Sequence, residues 1–353
     1  MDLFPSALDQ LFAAKLKAKT QKDLLPNLFS WQMQALSQTL KWAYRQSLFY
    51  GRNLQGYNLE PKSLEDFAQL PLMTAKDLLS YEALLSTSKS LVERIVTLST
   101  SGTTNQPKRL AFGSLDLAAT EEFFAKGLSY LLRPGETLAV LLPGQNRPLG
   151  VVDLLIRALG ANCHVVAHDW SKERGFHAEE CALWLRQMAP DVLIAMPSQL
   201  ELLLDVLPHG LPSLHGVLAS AELLPEDLAV DLQKAWQCEV LNHYGLTESC
   251  YGLAVECPSH NGMHLRVTDF LIEIISLDEQ KVLPAGEVGE IVLTTLTRKT
   301  MPLIRYRTGD VGYLVSEICK CGSVFPRLGQ VLGRVEFNES GYDFISLPKG
   351  ARG

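Results

Sequence analysis

Thr137-Leu138-Ala139-Val140-Leu141-Leu142 is a short apolar run between two stretches of helical spacing, 115–131 before it and 149–159 after it. The same unit recurs outward along the chain. Asn162-Cys163-His164-Val165-Val166, Asp191 to Ala195, Gly216 to Ala219 and Glu239-Val240-Leu241 are further apolar runs, separated by helical patterns at 177–188, 198–206 and 225–235. Apolar strands alternating with amphipathic helices predict a parallel sheet covered on both faces, with ligands gathering at the carboxyl ends of the strands. From residue 262 the strands expected at 270–276, 289–295 and 311–315 lie closer together, with turns such as Pro284-Ala285-Gly286, which reads as mainly antiparallel β structure. Ahead of the alternation, apolar spacing predicts helices over 6–24 and 29–48, the second with a stripe of Leu28, Trp31, Met33, Leu36, Leu40, Ala43 and Leu48. Shorter helices are expected at 63–67 and 75–82. The expected fold is α/β: a helical start and α/β core over 1–255, a smaller β-rich subdomain over 256–335, and a tail over 336–353.

The 353 residues are 47% hydrophobic and 20% charged, an ordinary globular balance with room for a sizeable core. A net charge of −7 argues against a nucleic-acid or membrane-surface partner, because phosphates are repelled wherever Lys and Arg are not gathered locally. No apolar stretch approaches a membrane span, and Met1-Asp2-Leu3-Phe4-Pro5 lacks the basic start of a secretory signal, so the expected location is the cytoplasm. The seven cysteines are an odd number in a long chain and do not suggest a disulfide framework. Cys163, Cys181, Cys238 and Cys250 stand in apolar or helical surroundings and read as buried thiols.

Residues 97–109, Thr-Leu-Ser-Thr-Ser-Gly-Thr-Thr-Asn-Gln-Pro-Lys-Arg, form a hydroxyl-rich loop between Arg94-Ile95-Val96 and Leu110-Ala111-Phe112. Thr100, Ser101, Thr103 and Thr104 offer hydroxyls, Gly102 lets main-chain N–H groups converge, and Lys108 supplies a mobile positive charge, a combination that suits a polyphosphate. It is not the P-loop pattern, since no Gly-Lys-Ser/Thr opens a helix here.

This loop resembles the phosphate-binding signature of the adenylate-forming superfamily of acyl- and aryl-CoA ligases. Asn105 stands where that family usually has a second glycine, and Asn tolerates a left-handed backbone well. Asn242-His243-Tyr244-Gly245-Leu246-Thr247-Glu248 resembles the superfamily's Tyr-Gly-x-Thr-Glu motif, and Arg305-Tyr306-Arg307-Thr308-Gly309-Asp310 its Tyr-Arg-Thr-Gly-Asp motif. The resemblance covers residues from about 30 to 335, and the helical opening is similar to that of phenylacetate-CoA ligases. It implies the large N-terminal domain of an adenylate-forming enzyme that binds ATP and AMP. By the same resemblance Tyr244 stacks on adenine, Thr247 bonds the α-phosphate and Glu248 holds Mg²⁺. Ser220, Ala221 and Glu222 line base and ribose beside Asn242, His243 and Gly245, Asp310 takes the ribose hydroxyls, and Arg334 adds a ribose or phosphate contact. Lys108, Thr247 and Glu248 are the implied catalytic set. An aromatic face suits a purine and a carboxylate suits a hard cation bridging phosphate oxygens.

Cys257-Pro258-Ser259-His260 and Cys319-Lys320-Cys321-Gly322 pair three thiols with an imidazole, a closed Cys₃His set for a structural zinc made of Cys257, His260, Cys319 and Cys321. His264 is the rival imidazole.

Family members continue past the Gly333-Arg334 hinge into a small mobile domain that serves the second half-reaction, and the nineteen residues from Val335 to Gly353 cannot build one. The expected activity is therefore conversion of a carboxylic acid to its acyl-adenylate with release of pyrophosphate, followed by transfer to an acceptor enzyme or carrier protein rather than to coenzyme A. The expected acid is an aryl acid such as a hydroxy- or aminobenzoate; Gln145, Asn146 and Arg147, after a strand end, either bond its substituents or form a plain polar loop. The alternatives are a CoA ligase whose small domain arrives on another chain, and an inactive regulatory protein that binds AMP or ATP.

Overall fold

A computed structural model describes residues 4–98, 108–142, 148–168, 175–278, 280–338 and 341–346. The phosphate-loop candidates Thr100, Ser101, Gly102, Thr103 and Thr104, and the acid-pocket candidates Gln145, Asn146 and Arg147, lie outside the described residues. By contacts the chain divides into two compact units. One takes the described residues of Met1–Ala119, Thr247–Cys250 and His264–Leu347, the other those of Thr120–Leu246 and Tyr251–Met263. The chain thus begins in the first unit, passes through the second and returns.

In the first unit α1 (Ala7–Leu16) starts where the Ser6 side chain accepts the Asp9 N–H, and ends at Lys17 in the left-handed region, φ 54°. α2 (Gln21–Gln46) opens on a capping box of Thr20 and Asp23. The break between the two helices therefore falls at 17–20 and not at 25–28 as the apolar spacing suggested, because these caps outweigh Pro26, which sits inside α2. α2 is tied down by the polar tips of its aromatic residues: Trp31 Nε1 donates to Thr268 O and Trp42 Nε1 to Lys299 O, both at 3.0 Å. Three short helices follow, α3 (Leu48–Asn53), α4 (Leu64–Phe67) and α5 (Tyr81–Leu84). They lead to an antiparallel pair, β1 (Arg94–Leu98) and β2 (Lys108–Phe112).

α6 (Ser114–Leu128) leads into the second unit, where β3 (Thr137–Val140), α7 (Val151–Leu159), β4 (His164–Ala167), α8 (Ala178–Met188), β5 (Val192–Ala195), α9 (Pro197–Val206), β6 (Gly216–Ala219), α10 (Glu226–Trp236) and β7 (Glu239–Tyr244) alternate. The strands stand in the order β4-β3-β5-β6-β7, all parallel, with β8 (Ala254–Glu256) antiparallel beside β7. β5 and β6 are buried along their whole length. Leu200 and Leu203 of α9 and Leu232 and Trp236 of α10 cover Leu193, Val217 and Val240 in one core. This is the expected sheet, and apolar transfer from water is what holds its helices to it.

The chain re-enters the first unit along β9 (Met263–Leu265). Here β10 (Phe270–Ile275), β11 (Gly289–Thr295) and β12 (Tyr306–Gly312) form antiparallel neighbours, and β13 (Leu314–Val315) pairs with β14 (Arg327–Leu328). β15 (Gly333–Asn338) joins β12, and β16 (Gly341–Ser346) completes a five-stranded antiparallel sheet. The motif stretch 305–310, for which the expected strand began only at 311, is mostly strand: β12 begins at Tyr306. Its arginines are neutralised by its neighbours, Arg305 by buried Glu273 at 3.0 Å and Arg307 by buried Glu290 at 2.6 Å. Arg305 is buried and Arg307 half-buried, and guanidinium groups shielded in this way persist only when paired.

Candidate functional site

In the second unit the register that sets Ala219 beside Asn242 brings the carboxyl ends of β6 and β7 together. Ser220, one residue past β6, has Oγ 2.9 Å from His243 Nδ1, and the Phe124 ring meets the imidazole edge-on with centroids 6.3 Å apart. Tyr244 ends β7 and is buried. Ala221 adopts φ 69°, a conformation that costs an alanine energy and turns the chain sharply after Ser220. Glu222, exposed, accepts the Ser198 N–H at 2.9 Å and so caps the first turn of α9. The Asn242 N–H donates to Glu256 Oε2 at 3.0 Å. Burial pushes the Glu256 carboxyl up, against that bond and the nearby His260.

Gly245 is required sterically. A Cβ there would lie 2.0 Å from Tyr251 O and 2.7 Å from its carbonyl carbon, both main-chain atoms that cannot swing away. Gly245→Ala is expected to cost about 1–3 kcal/mol in denaturant unfolding. An unchanged midpoint would contradict the close approach of Gly245 to the Tyr251 carbonyl.

In the first unit Thr247 and Glu248 follow at once in sequence. Glu248 Oε1 accepts the Tyr306 hydroxyl at 2.7 Å, while its main-chain oxygen accepts Arg298 Nη1 at 2.8 Å. Burial first, and then the Glu248 carboxylate, push the Tyr306 phenol far above its ordinary range, so it stays a donor. Arg298 is itself buried, 3.7 Å from Asp116 and over the Phe112 ring at 4.9 Å. The motif carboxylate is thus aimed by a tyrosine from another motif. Neither partner was singled out in the sequence, although the Arg305-Tyr306-Arg307 alternation of a strand would have turned Tyr306 away from its two charged neighbours.

Asp310 is buried on β12, directly opposite Arg334 on β15. Its Oδ1 lies 3.3 Å from Arg334 Nη1, and its N–H donates to Thr308 Oγ1 at 3.0 Å. Arg334 Nη2 also donates to Thr308 O at 3.1 Å, and that side chain is half exposed. Gly309 between them has φ 76°, a left-handed turn that favours glycine. Lys108 opens β2 opposite Leu98 and is half-buried.

The expected metal set changes in one member. His260 is engaged by carboxylates, with Nε2 2.7 Å from Glu239 Oε1 and Nδ1 3.5 Å from Glu256 Oε1, so both ring nitrogens are occupied away from the cysteines. His264 replaces it. In the first unit the ligand atoms of His264, Cys319 and Cys321 lie within 4.8 Å of one another, with Cys321 Sγ 3.6 Å from His264 Nε2. The cysteines sit on a tight turn in which Cys319 N–H donates to Ser323 O and Gly322 N–H to Cys319 O. α1 braces that turn through Ser323 Oγ to Asp9 Oδ1 at 2.6 Å and an edge-on Phe12–Phe325 contact. Burial and the Arg327 guanidinium push the His264 imidazole down to about 4, which keeps it in the neutral form that ligates metals. Cys257, in the second unit, is also buried. All seven cysteines are free thiols, and Cys163 is half-buried where full burial was expected.

Among the described residues no helix is long and apolar enough to cross a membrane.

Comparison with known proteins adds a family. Residues 90–297 match the sequence pattern of the family described as AMP-binding enzyme. The chain is 30% identical over 321 residues to a phenylacetate-coenzyme A ligase of Thermus thermophilus, covering 86% of this chain and 70% of that protein. It is 23% identical over 237 residues to a 4-chlorobenzoate–CoA ligase of Arthrobacter sp, covering 61% of this chain and 44% of that one. A crystal structure of a 2-hydroxyisobutyryl-CoA ligase with 2-HIB-AMP and CoA superposes with a TM-score of 0.74 at 20% identity, covering 92% of this chain and 73% of that chain, a likeness of fold.

Proposed function

Because the chain belongs to the AMP-binding enzyme family and is an adenylate-forming ligase that activates an acid with ATP, we propose that its acid is an aryl carboxylic acid, held beside a nucleotide bound by the residues of the three motifs. The observation that carries the residue assignment is the Tyr306–Glu248 bond. It fixes Oε1 of the carboxylate and leaves Oε2 as the oxygen for a cation. A carboxylate oriented in this way fits Mg²⁺, a hard cation that takes one or two protein carboxylates and completes its shell with phosphate oxygens. When bound, Mg²⁺ would neutralise charge on the phosphates.

The chain's own groups do the rest. Lys108 draws the β- and γ-phosphates into place as a point charge. Thr247 bonds the α-phosphate and fixes its face toward the incoming carboxylate, so that bond making and pyrophosphate departure run in line. The hydroxyls of Thr100, Ser101, Thr103 and Thr104 and the main chain at Gly102 cradle the leaving phosphates. Tyr244 offers its ring to adenine and Asp310 accepts the ribose hydroxyls, with Arg334 beside it. Ser220, Ala221, Glu222, Asn242, His243 and Gly245 form the wall at the ends of β6 and β7.

For the acid, support comes from the names of the relatives: phenylacetate and 4-chlorobenzoate both carry an aromatic ring. A hydroxy- or aminobenzoate is the specific expectation. Incubation with ATP, Mg²⁺ and a panel of such acids, followed by mass spectrometry, tests it. Acyl-AMP from ring-bearing acids and none from aliphatic acids of equal length supports the proposal, and the reverse preference contradicts it. Adding coenzyme A to the same mixtures separates the acceptors. Persistence of the adenylate supports the expected non-CoA acceptor or carrier, whereas conversion to the thioester supports the reaction for which the relatives are named.

The zinc site is part of the same proposal, with Cys257, His264, Cys319 and Cys321 as ligands. Three thiolates and one neutral imidazole are a closed tetrahedral donor set with no position for substrate, hence a structural role. Purified protein should carry about one zinc per chain, and Cys321→Ser should lose it along with thermal stability. Metal analysis showing no zinc in protein kept from chelators would remove the site.

A further inference from the structure

The parallel sheet has a second edge, remote in topology from the carboxyl ends that carry the motifs. Glu136, Asp191 and His215 are the residues immediately before β3, β5 and β6, three adjacent strands running the same way. Their alignment is fixed by the sheet's own ladder: Asp191 N–H donates to Thr137 O and His215 N–H to Asp191 O, each at 3.0 Å. The side chains converge, and one ligand atom from each lies within 4.8 Å of the others.

We propose that Glu136, Asp191 and His215 bind one divalent first-row transition cation at the amino edge of the parallel sheet.

Each carboxylate is already oriented for this. Glu136 Oε2 accepts the Arg133 N–H and Asp191 Oδ2 the Thr137 N–H, both at 2.8 Å, so a main-chain donor holds one oxygen of each and presents the other. Glu136 Oε1 lies 3.1 Å from His215 Nε2, close to the separation of two neighbouring ligands in a metal's coordination shell. One imidazole and two carboxylates form a donor set of intermediate hardness that takes Zn²⁺ and Mn²⁺, and the affinity should rise from Mn²⁺ to Zn²⁺. The His215 side chain is 38% exposed and that of Glu136 17%, which gives the ion an entry path and leaves room for water ligands. A bound cation would offset the repulsion of two carboxylates brought together and cross-brace three strands at the edge opposite the chemistry.

The test uses the full chain, stripped of metal and free of nucleotide, titrated with MnCl₂ while electron paramagnetic resonance reports free Mn²⁺. Mn²⁺ is chosen because thiolates bind it poorly, which separates this site from the cysteine cluster. The expected result is one saturable Mn²⁺ per chain, displaced by Zn²⁺, with a raised thermal unfolding midpoint. Asp191→Asn keeps an oxygen for the Thr137 N–H, and with His215→Gln it should weaken binding at least about 10-fold. Cys321→Ser should leave Mn²⁺ binding intact. Circular dichroism confirms that the variants fold. No saturable binding below about 1 mM, or the same affinity in wild type and in folded variants, overturns the proposal.

Discussion

Glu248→Gln lowers acid-dependent pyrophosphate exchange by about 100-fold or more, while the protein folds and unfolds as before. The substitution is nearly isosteric, and a Gln carbonyl still accepts the Tyr306 hydroxyl that Glu248 Oε1 accepts at 2.7 Å. Arg298 bonds the main-chain oxygen of residue 248, which the change leaves alone. What disappears is one negative charge, and with it the hold on a cation among the phosphates. The prediction therefore separates two roles. If Glu248 serves only to satisfy Tyr306, the rate stays within a few-fold of wild type. If it holds Mg²⁺, the loss shrinks as Mg²⁺ is raised, because weaker binding is restored by mass action.

Asp310→Ala raises the dissociation constant for AMP by about 10- to 100-fold, read by calorimetry. Asp310 is the buried carboxylate at the left-handed Gly309 turn, and two vicinal hydroxyls are the acceptor's natural partners. The fold should tolerate the loss. Its ion-pair partner Arg334 is half exposed and keeps its own bond to Thr308 O, so no guanidinium is stranded in the interior. The contrast with the neighbouring arginines is instructive. Arg305 and Arg307 in the same motif are locked to Glu273 and Glu290, and removing either leaves a buried carboxylate unpaired, a stability effect and not a binding one. A variant at Asp310 that binds AMP as wild type does would withdraw its assignment to the ribose.

The parallel core was legible because strands such as Val192–Ala195 and Gly216–Ala219 are buried on both faces and therefore read as unbroken apolar runs between amphipathic helices. The Tyr244–Glu248 motif was recognisable because its spacing is held by a tight turn, as the steric demand at Gly245 illustrates. Other features depend on distant partners that a linear reading does not weigh. His260 is nearer to Cys257 in sequence than His264 is, yet Glu239 and Glu256 engage His260 and leave His264 beside the cysteines. The strand expected at 311–315 begins earlier, at Tyr306, because Glu273 and Glu290 on neighbouring strands neutralise Arg305 and Arg307 within a sheet. The break between α1 and α2 was placed by apolar spacing at 25–28, whereas a capping box at Thr20 and Asp23 sets it earlier. The interleaving of the two units follows from the return of His264–Leu347 to the N-terminal residues, which only contacts reveal.

Acid-dependent exchange of labelled pyrophosphate into ATP, run on the wild-type chain without coenzyme A, addresses the chemistry with the fewest assumptions. The expected result is exchange that needs ATP, Mg²⁺ and a ring-bearing carboxylic acid together and falls to background when any one is withheld. Binding of AMP with no exchange for any acid in the panel would contradict it.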